Sequence, residues 1–482
     1  MRREYKVLIL LFLLAFIVRI FFVFDSPVRI WDETVYSNLG YDLSKNMFHY
    51  SLEGASWSDF IPSKIGQPYD WPNMGFRAPL LPYTLALFYF FRLDFLISFF
   101  IPFIGALSTV LVYFLGKNLF NKKTGVYSSV FFMLIPLHVL NSGMILTGVY
   151  STFFILLTFI SFWEGYEKGN NAHRVLFGGF FALALLARYT VLWFVPVFLV
   201  YFLIRDKSLR FLRDKYLWYS IFAFLVVLLP WFFYGQFTYG NPFGAFIHGA
   251  NAAHYWGGVQ GIFFYFKYWL MMFSIVGVLF FASLFYILYK KQFIKREIYL
   301  LFAWIILFLS LATYMPHKET RFIIPIIPAL CLLSGFFVYN LKKYRKAIFS
   351  ILIVVLLLSN VFQFYFNYNV SYTNSNSCFL EANEFIEGLS EGTLIITDET
   401  TSIYYYTKKQ TKFYPRPWSI GRLRAILDQG VEGREIYILF TSYDMPLNNK
   451  ENIGIKDDLD SNFERVFECE KQEGVSMIYR YS

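Results

Sequence analysis

The segment Pro316-His317-Lys318-Glu319-Thr320-Arg321-Phe322 lies between two long apolar runs. A lysine and an arginine at the mouth of a helix whose first amides are exposed form an anion site suited to a phosphate. Glu319 would orient these cations or bind a metal, with His317 in support; an interfacial ion pair is the plainer alternative. A second group is Ile30-Trp31-Asp32-Glu33-Thr34-Val35-Tyr36. Two adjacent carboxylates beside Trp31 and Tyr36, just past an apolar run, can deprotonate a hydroxyl or hold a cation, and transfer of a group to an alcohol needs both. The same residues also read as a solvated loop in which Asp32 caps a helix and Glu33 sits in its first turn. Arg77, in Phe76-Arg77-Ala78-Pro79-Leu80, stands where the chain re-enters an apolar run, the ordinary place for a snorkelling anchor. Arg188 interrupts an apolar stretch, and a charge at such depth suggests function, here as an addition to a phosphate pocket. His248 and His254 could complete a metal site with Asp32 or Glu33, or simply face the interface. The sequence has no Walker A and no GxGxxG motif, which argues against an ATP-driven machine.

The elements that must position these residues are transmembrane helices. Of the 482 residues, 57% are hydrophobic and only 16% charged, against about 25% charged in a soluble domain. The chain holds 60 Phe, 37 Tyr and 11 Trp, more aromatic surface than a soluble core accommodates. Val7–Phe24 follows a basic start and has no small-residue cleavage site after it, so it reads as a retained first helix. Further runs long enough to span include Leu93–Gly116, Ile145–Trp163, Tyr216–Tyr234, Phe263–Tyr289, Ile298–Met315, Phe322–Asn340 and Ala347–Phe366, with shorter or interrupted ones between them. Basic clusters at Lys117/Lys122/Lys123, Arg205–Lys215, Lys290–Arg296 and Lys342–Lys346 place those loops and the N-terminus in the cytoplasm. Residues 25–78, the HKETRF segment and everything after Asn367 then fall outside. Lys318 and Arg321 are on the side where the positive-inside rule disfavours them, so their presence calls for another reason. Parity asks for an odd number of crossings between Pro79 and Gly116; three short passes broken near Leu93 and Pro102 satisfy it and bring the total to about 13 helices.

From Ser371 onward the composition changes. This part carries 12 Lys/Arg against 18 Asp/Glu, whereas the rest of the chain is strongly basic. Because the excess sits in short loops between apolar runs, it is a topology signal, and nucleic acid is excluded as a partner. Strand-like runs at Thr393–Thr397, Ile403–Tyr406, Ile436–Phe440 and Met477–Tyr481 alternate with helical patterns at Leu380–Leu389 and Ile420–Gln429. They predict a C-terminal extracytoplasmic α/β domain, residues 371–482, after a transmembrane domain of residues 1–370 whose first external loop holds the acidic pair. Cys378 and Cys469 lie near the first helix and the last strand of that domain, in a compartment where a disulfide persists, while Cys331 lies within a helix.

With these motifs in hand the chain resembles the GT-C superfamily of glycosyltransferases, polytopic enzymes that take a sugar from a polyprenyl-phosphate carrier. HKETRF is similar to the HKE-x-RF motif of lipid-linked mannosyltransferases. The acidic pair in a long first external loop matches in order, as does Arg77-Ala78-Pro79 before the next helix. The overall plan resembles that of protein O-mannosyltransferases and lipid A aminoarabinose transferases. One departure stands out: many relatives carry a further Asp in the second external loop, and Asn141-Ser142-Gly143-Met144-Ile145-Leu146-Thr147-Gly148 has no acid.

The resemblance implies an inverting hexosyl transfer, mannosyl by its nearest motif, to a lipid-linked or protein acceptor at the outer face of the cell membrane. It implies Asp32 as base or metal ligand beside Glu33, and a leaving dolichyl or polyprenyl phosphate held by Arg77, Arg188, Lys318 and Arg321. It leaves a divalent metal ion open as cofactor, with Asp32 and His254 as candidate ligands, and calls for no other. A secondary transporter or lipid-linked-sugar flippase is the rival reading, but no inverted repeat is seen and the charges gather at one face. A surface binding protein would need a single anchoring helix.

Overall fold

The computed structural model of the chain describes residues 2–23, 29–56, 73–255, 260–293, 295–373, 376–414, 418–429, 434–442, 450–471 and 474–481. In chain order its first elements are α1 (Arg2–Ile20), α2 (Trp31–Lys45), β1 (Ala55–Ser56), α3 (Leu80–Phe90), α4 (Ile97–Leu119), α5 (Lys122–Leu134) and α6 (Pro136–Ser142). Then come α7 (Thr147–Tyr166), α8 (Asn171–Ala187), α9 (Val195–Asp206), α10 (Lys215–Tyr239), α11 (Gly244–Tyr255), α12 (Phe264–Lys267), α13 (Trp269–Tyr289), α14 (Arg296–Tyr314), α15 (Ile327–Asn340) and α16 (Arg345–Thr373). The remainder is α17 (Asn376–Glu387), β2 (Leu394–Thr397), α18 (Thr400–Thr407), β3 (Gln410–Phe413), α19 (Ile420–Gln429), β4 (Ile436–Thr441), α20 (Lys450–Asn462), β5 (Glu464–Lys471) and β6 (Gly474–Tyr481). These elements form two compact units: Met1–Phe24, Gly75–Leu81 and Phe95–Phe364 make the first, and Asp25–Met74, Pro82–Asp94 and Tyr365–Ser482 the second.

The first unit is a bundle of apolar helices. Nine helices among the described residues are long and apolar enough to cross a membrane, or ten when the bent pair α5–α6 counts as one span. Of two shorter apolar helices, α8 lies in this unit and α3 falls mostly in the second. The expected total of about 13 is thus too high. The chief reason lies between Pro79 and Gly116: the chain does turn at Phe91-Arg92-Leu93, with Arg92 in the left-handed region, but it runs straight through Pro102 inside α4. At 11 residues α3 is about 16 Å long, half the hydrocarbon thickness. This stretch therefore supplies one full-length span, and the odd count that parity demands needs no third helix.

Aromatic side chains fill the core of the bundle. Phe159 of α7 lies parallel to Trp304 of α14 with ring centroids 3.6 Å apart, and Phe162 meets Phe177, Phe198 and Tyr201 at 4.8–5.3 Å. By contrast α10 and α16 bury only 22% and 17% of their apolar windows, as helices facing lipid do.

Where a helix breaks inside such a bundle, the carbonyls it releases need partners, because hydrocarbon provides none. Pro136 cannot donate to the carbonyl four residues back, and α5 and α6 meet there at 58°. Arg19, fully buried in α1, answers this break: its guanidinium bonds the Ala15 carbonyl at 2.9 Å and reaches those of Met133 and Phe132 at 3.5 Å. Asn360 of α16 donates to the Leu134 carbonyl at 2.7 Å.

In the second unit, six strands form one sheet in the order β1-β3-β2-β4-β6-β5. The pairs β1–β3, β2–β3 and β2–β4 are parallel, and β6 runs antiparallel to both β4 and β5. Residues from the first loop thus take part in this unit: β1 adds to the sheet edge with Ala55 opposite Thr411. One expected strand, Ile403–Tyr406, is instead part of the helix α18. β-branched and aromatic residues favour a strand there, but Ile403, Tyr404 and Thr407 bury one helical face, and packing overrides propensity. That face meets α2 through a stripe spaced four residues apart. Thr34 donates to Thr401 Oγ1 (3.0 Å), Asn38 donates to the Thr401 carbonyl (2.8 Å), and Asp42 accepts from Tyr404 (2.7 Å). A disulfide joins Cys378 of α17 to Cys469 of β5 with Cα atoms 5.4 Å apart, and Cys331 is a buried free thiol. Closing so long a loop contributes about 2–4 kcal/mol.

Replacing Arg19 by leucine keeps an apolar helix surface but strips the Phe132 and Met133 carbonyls of this donor. We expect the variant to lose about 1–3 kcal/mol, read as a lower thermal midpoint in detergent micelles. An unchanged midpoint would mean the released carbonyls find other partners.

Candidate active site

Of the basic residues singled out in the sequence, Arg188 and the segment bearing Lys318 and Arg321 meet within the first unit, where α8 ends and where a 3-10 turn opens α15. Arg188 is the extended residue closing α8, ahead of a 3-10 turn over Tyr189–Phe194. Glu319 is the extended residue opening another such turn, Thr320–Ile326, which leads into α15. Trp304 of α14 holds this second turn by donating to the Pro325 carbonyl at 3.0 Å. Gly148 at the start of α7 permits close approach, since a Cβ there would come within 2.9 Å of Ile324.

On this frame Glu319 bridges two neighbours. One carboxylate oxygen meets His317 Nε2 at 2.9 Å and the other accepts from Arg321 Nε. The Arg188 guanidinium lies over the Phe322 ring, 5.2 Å from its centroid, and bonds Thr190 (3.1 Å) and Thr147 (3.4 Å). Lys318 is 4% exposed; its ammonium donates to the Gln260 carbonyl at 2.8 Å and its amide to the Gln260 side chain. Lys318 thus also ties the 316–321 segment to the stretch before α12.

Tyr265 of α12 is fully buried. Burial pushes its hydroxyl well up from the usual phenol range, with nearby Arg188 opposing and Glu319 adding to the effect. The Arg77 segment is fixed through Tyr189. The Tyr189 hydroxyl donates to the Gly75 carbonyl at 2.8 Å, has the Arg77 carbonyl at 3.4 Å, and accepts from Trp231 Nε1 at 2.9 Å. Arg77 itself lies against Phe76. Sequence reasoning passed over Gln260 and Tyr265, which carry no local signal in an aromatic-rich chain.

The acidic pair belongs to the second unit. Ile30 caps α2, so Asp32 is the second residue of the helix rather than its cap or a loop residue. Glu33, 2% exposed, is committed to structure: its carboxylate accepts from the Ile30 amide at 3.2 Å and from Arg29 Nη1 at 3.0 Å. Ile30 has no side-chain acceptor with which to return the bond, so this is half of a capping box. Burial pushes the Arg29 guanidinium down, but Glu33 with Tyr405 and Tyr406 more than reverses this and leaves it raised. Arg29 was legible as a partner four residues before Glu33. Asp32 is half-buried, and Tyr36 is buried one turn further on.

For a metal the donors fit poorly. No group of three or more His, Cys, Asp or Glu residues comes together among the described residues, and the Glu33 carboxylate is already engaged. His248 packs against Tyr239, ring centroids 4.4 Å apart. The side chain of His254 lies outside the described residues. Asn141 donates to the Leu137 carbonyl within α6.

Residues 51–418 match the model of the Alg9-like mannosyltransferase family. The fold is similar to that of ArnT from Cupriavidus metallidurans, solved with undecaprenyl phosphate bound, at TM-score 0.72 and 12% identity over 98% of this chain and 97% of that one. It is also similar to the oligosaccharyltransferase AglB from Archaeoglobus fulgidus in complex with an inhibitory peptide and a dolichol-phosphate. There the TM-score is 0.63 and the identity 13%, over 90% of this chain and 69% of that one. No curated protein sequence matches.

The two acids should separate in a stability measurement. Glu33→Gln keeps an oxygen for the Ile30 amide but leaves Arg29 without its charge partner, so it should cost about 1.5–3 kcal/mol. Asp32→Asn should cost less, since the amide keeps the size and one oxygen of a half-buried side chain. Equal midpoints for both variants would contradict this division.

Proposed function

The chain belongs to the Alg9-like mannosyltransferase family and is a polytopic membrane glycosyltransferase of the GT-C superfamily; on that premise we propose that it moves a hexose, mannose first, from a polyprenyl or dolichyl phosphate to an acceptor hydroxyl on the outer face of the membrane. What supports this reading most is the ordered cluster around Glu319, which holds Arg321 in one orientation beside Arg188 and Lys318. Fixed cations at the end of an apolar bundle suit a phosphate whose tail lies in lipid, and they are worth most where water is excluded.

In the proposed reaction, the acceptor oxygen attacks the anomeric carbon from the face opposite the phosphate and inverts its configuration. The bond between that carbon and the phosphate oxygen breaks, and its electron pair leaves with the carrier phosphate. Arg77, Arg188, Lys318 and Arg321 hold the developing negative charge. Asp32 takes the acceptor proton, with Glu33 and Tyr36 as its structural support and His317 and Glu319 as positioning residues for Arg321. The acceptor is a lipid-linked glycan or a protein. The N-terminus is cytoplasmic and the second unit extracytoplasmic. The long helices, the bent pair and α8, whose 17 residues suffice to span, provide the odd number of crossings this needs.

Transfer and carrier release by purified protein, given a panel of polyprenyl-phosphate sugars, test the reading. Asp32→Asn should lose about a hundredfold or more in turnover while donor affinity holds. Arg321→Ala should weaken donor binding, and Arg321→Lys should recover only part of it, because an ammonium cannot replace a bidentate fork. A folded Asp32→Asn protein working at the wild-type rate would sink the mechanism.

Orientation is tested separately. Cysteine at exposed Ser461 should react with an impermeant maleimide in intact cells, and cysteine at exposed Lys207 only after permeabilisation. Background should be low, since two native cysteines are joined and the third is buried. The opposite labelling pattern would invert the topology.

A further inference from the structure

A cavity of about 290 Å³ lies in the first unit, lined by Tyr166, Arg174, Arg205, Asp206, Asp214 and Arg296. It is remote from HKETRF. Arg296 begins α14 and HKETRF follows the far end of that helix, 19 residues or about 28 Å away. Nothing in the proposed transfer uses it.

Its arginines are positioned but not exhausted. Arg205 is spent on bonds to Asp206 (2.5 and 2.9 Å) and to the Tyr166 carbonyl (3.3 Å). Arg174 gives Nε to the Gly165 carbonyl (2.9 Å) and Nη1 to Asp214 (3.2 Å). Arg296 gives Nη1 to Glu167 (2.6 Å). Each guanidinium carries five N–H donors, so Arg174 and Arg296 retain several that can serve an occupant of the cavity. Asp206, Asp214 and Glu167 balance the three arginines one for one, but Lys207, Arg210, Arg213 and Lys215 follow in the adjoining connection, so the surroundings favour an anion.

The neighbouring surface indicates what kind of anion. Asp214 caps α10 by accepting from the Tyr216 amide (2.9 Å), and Arg174 lies over the Tyr216 ring at 5.4 Å. From there α10 exposes Trp218, Phe222 and Leu225, 56%, 68% and 47% accessible, in one stripe running away from the cavity. A phosphate seated among Arg174 and Arg296 would have its acyl chains along that stripe. We propose that the cavity binds the phosphate headgroup of an anionic glycerophospholipid, at the end of the bundle opposite the HKETRF cluster.

Native mass spectrometry of the full-length protein, titrated with phosphatidylglycerol, phosphatidylcholine or inorganic phosphate, tests this without any sugar donor. Phosphatidylglycerol should be retained at least about tenfold more strongly than phosphatidylcholine. The double variant Arg174→Gln/Arg296→Gln should lose about tenfold or more of that affinity. Asp214→Asn should retain or raise it, because it removes a carboxylate competing for Arg174. Equal retention of both lipids, or undiminished phosphatidylglycerol binding in the double variant, would overturn the proposal. So would inorganic phosphate binding as tightly as the lipid, which would make the site one for a soluble ion. A loss in Asp214→Asn matching that of the double variant would show the charges to be an ion-pair brace only.

Discussion

Inside a bilayer a broken helix leaves amides and carbonyls that no solvent can reach, and the first unit is organised around meeting that demand with its own side chains. Arg19 and Asn360 serve the end of α5, and Trp304 serves the 3-10 turn that follows HKETRF. These breaks are also what bring charge to the ends of the bundle. An uninterrupted α8 or α15 would carry Arg188 or Arg321 around a regular helical surface. The extended residues Arg188 and Glu319 let the chain change direction there, so that side chains from separate helices meet. The energetic cost of interrupting a helix and the assembly of a cationic cluster are two sides of one arrangement.

The two groups of charged residues are stabilised differently. In the first unit a single carboxylate, Glu319, is shared between His317 and Arg321, which fixes orientation while leaving the local balance positive. In the second unit the adjacent acids divide the work. Glu33 is buried against Arg29 and the amide of the cap residue Ile30, and this anchors the helix turn that carries Asp32. A carboxylate in the first turn is favoured by the helix dipole, so Asp32 sits where negative charge is tolerated.

Much of this was legible in the sequence, for identifiable reasons. HKETRF announced itself because its charges are packed between two long apolar runs, and α19 was recovered at its observed ends because its apolar period is clear. The helix α18 was read as a strand because Ile403-Tyr404-Tyr405-Tyr406 has strand propensity, while the contacts that make it a helix come from α2, far away in sequence. Strand β1 has two residues and no pattern that could reveal it. Counting helices failed between Pro79 and Gly116 because apolarity alone does not separate a short helix from a span. The role of Glu33 was obscured by its neighbour, since two adjacent acids look alike until one is found buried.

The pairing of the first loop with the last domain has a consequence for how the protein is made. Thr34 and Thr401 stand 367 residues apart, and Gly54 and Thr411 are separated by 357. At a synthesis rate of about 5–20 residues per second, the partners of α2 emerge roughly twenty to seventy seconds after α2 itself. Through that interval the ribosome delivers every later helix of the bundle while the segment bearing Asp32 waits with its polar stripe unmatched. Chains that stop early would keep their lipid-embedded helices and yet never mature, which gives quality-control machinery a clear mark of incompleteness.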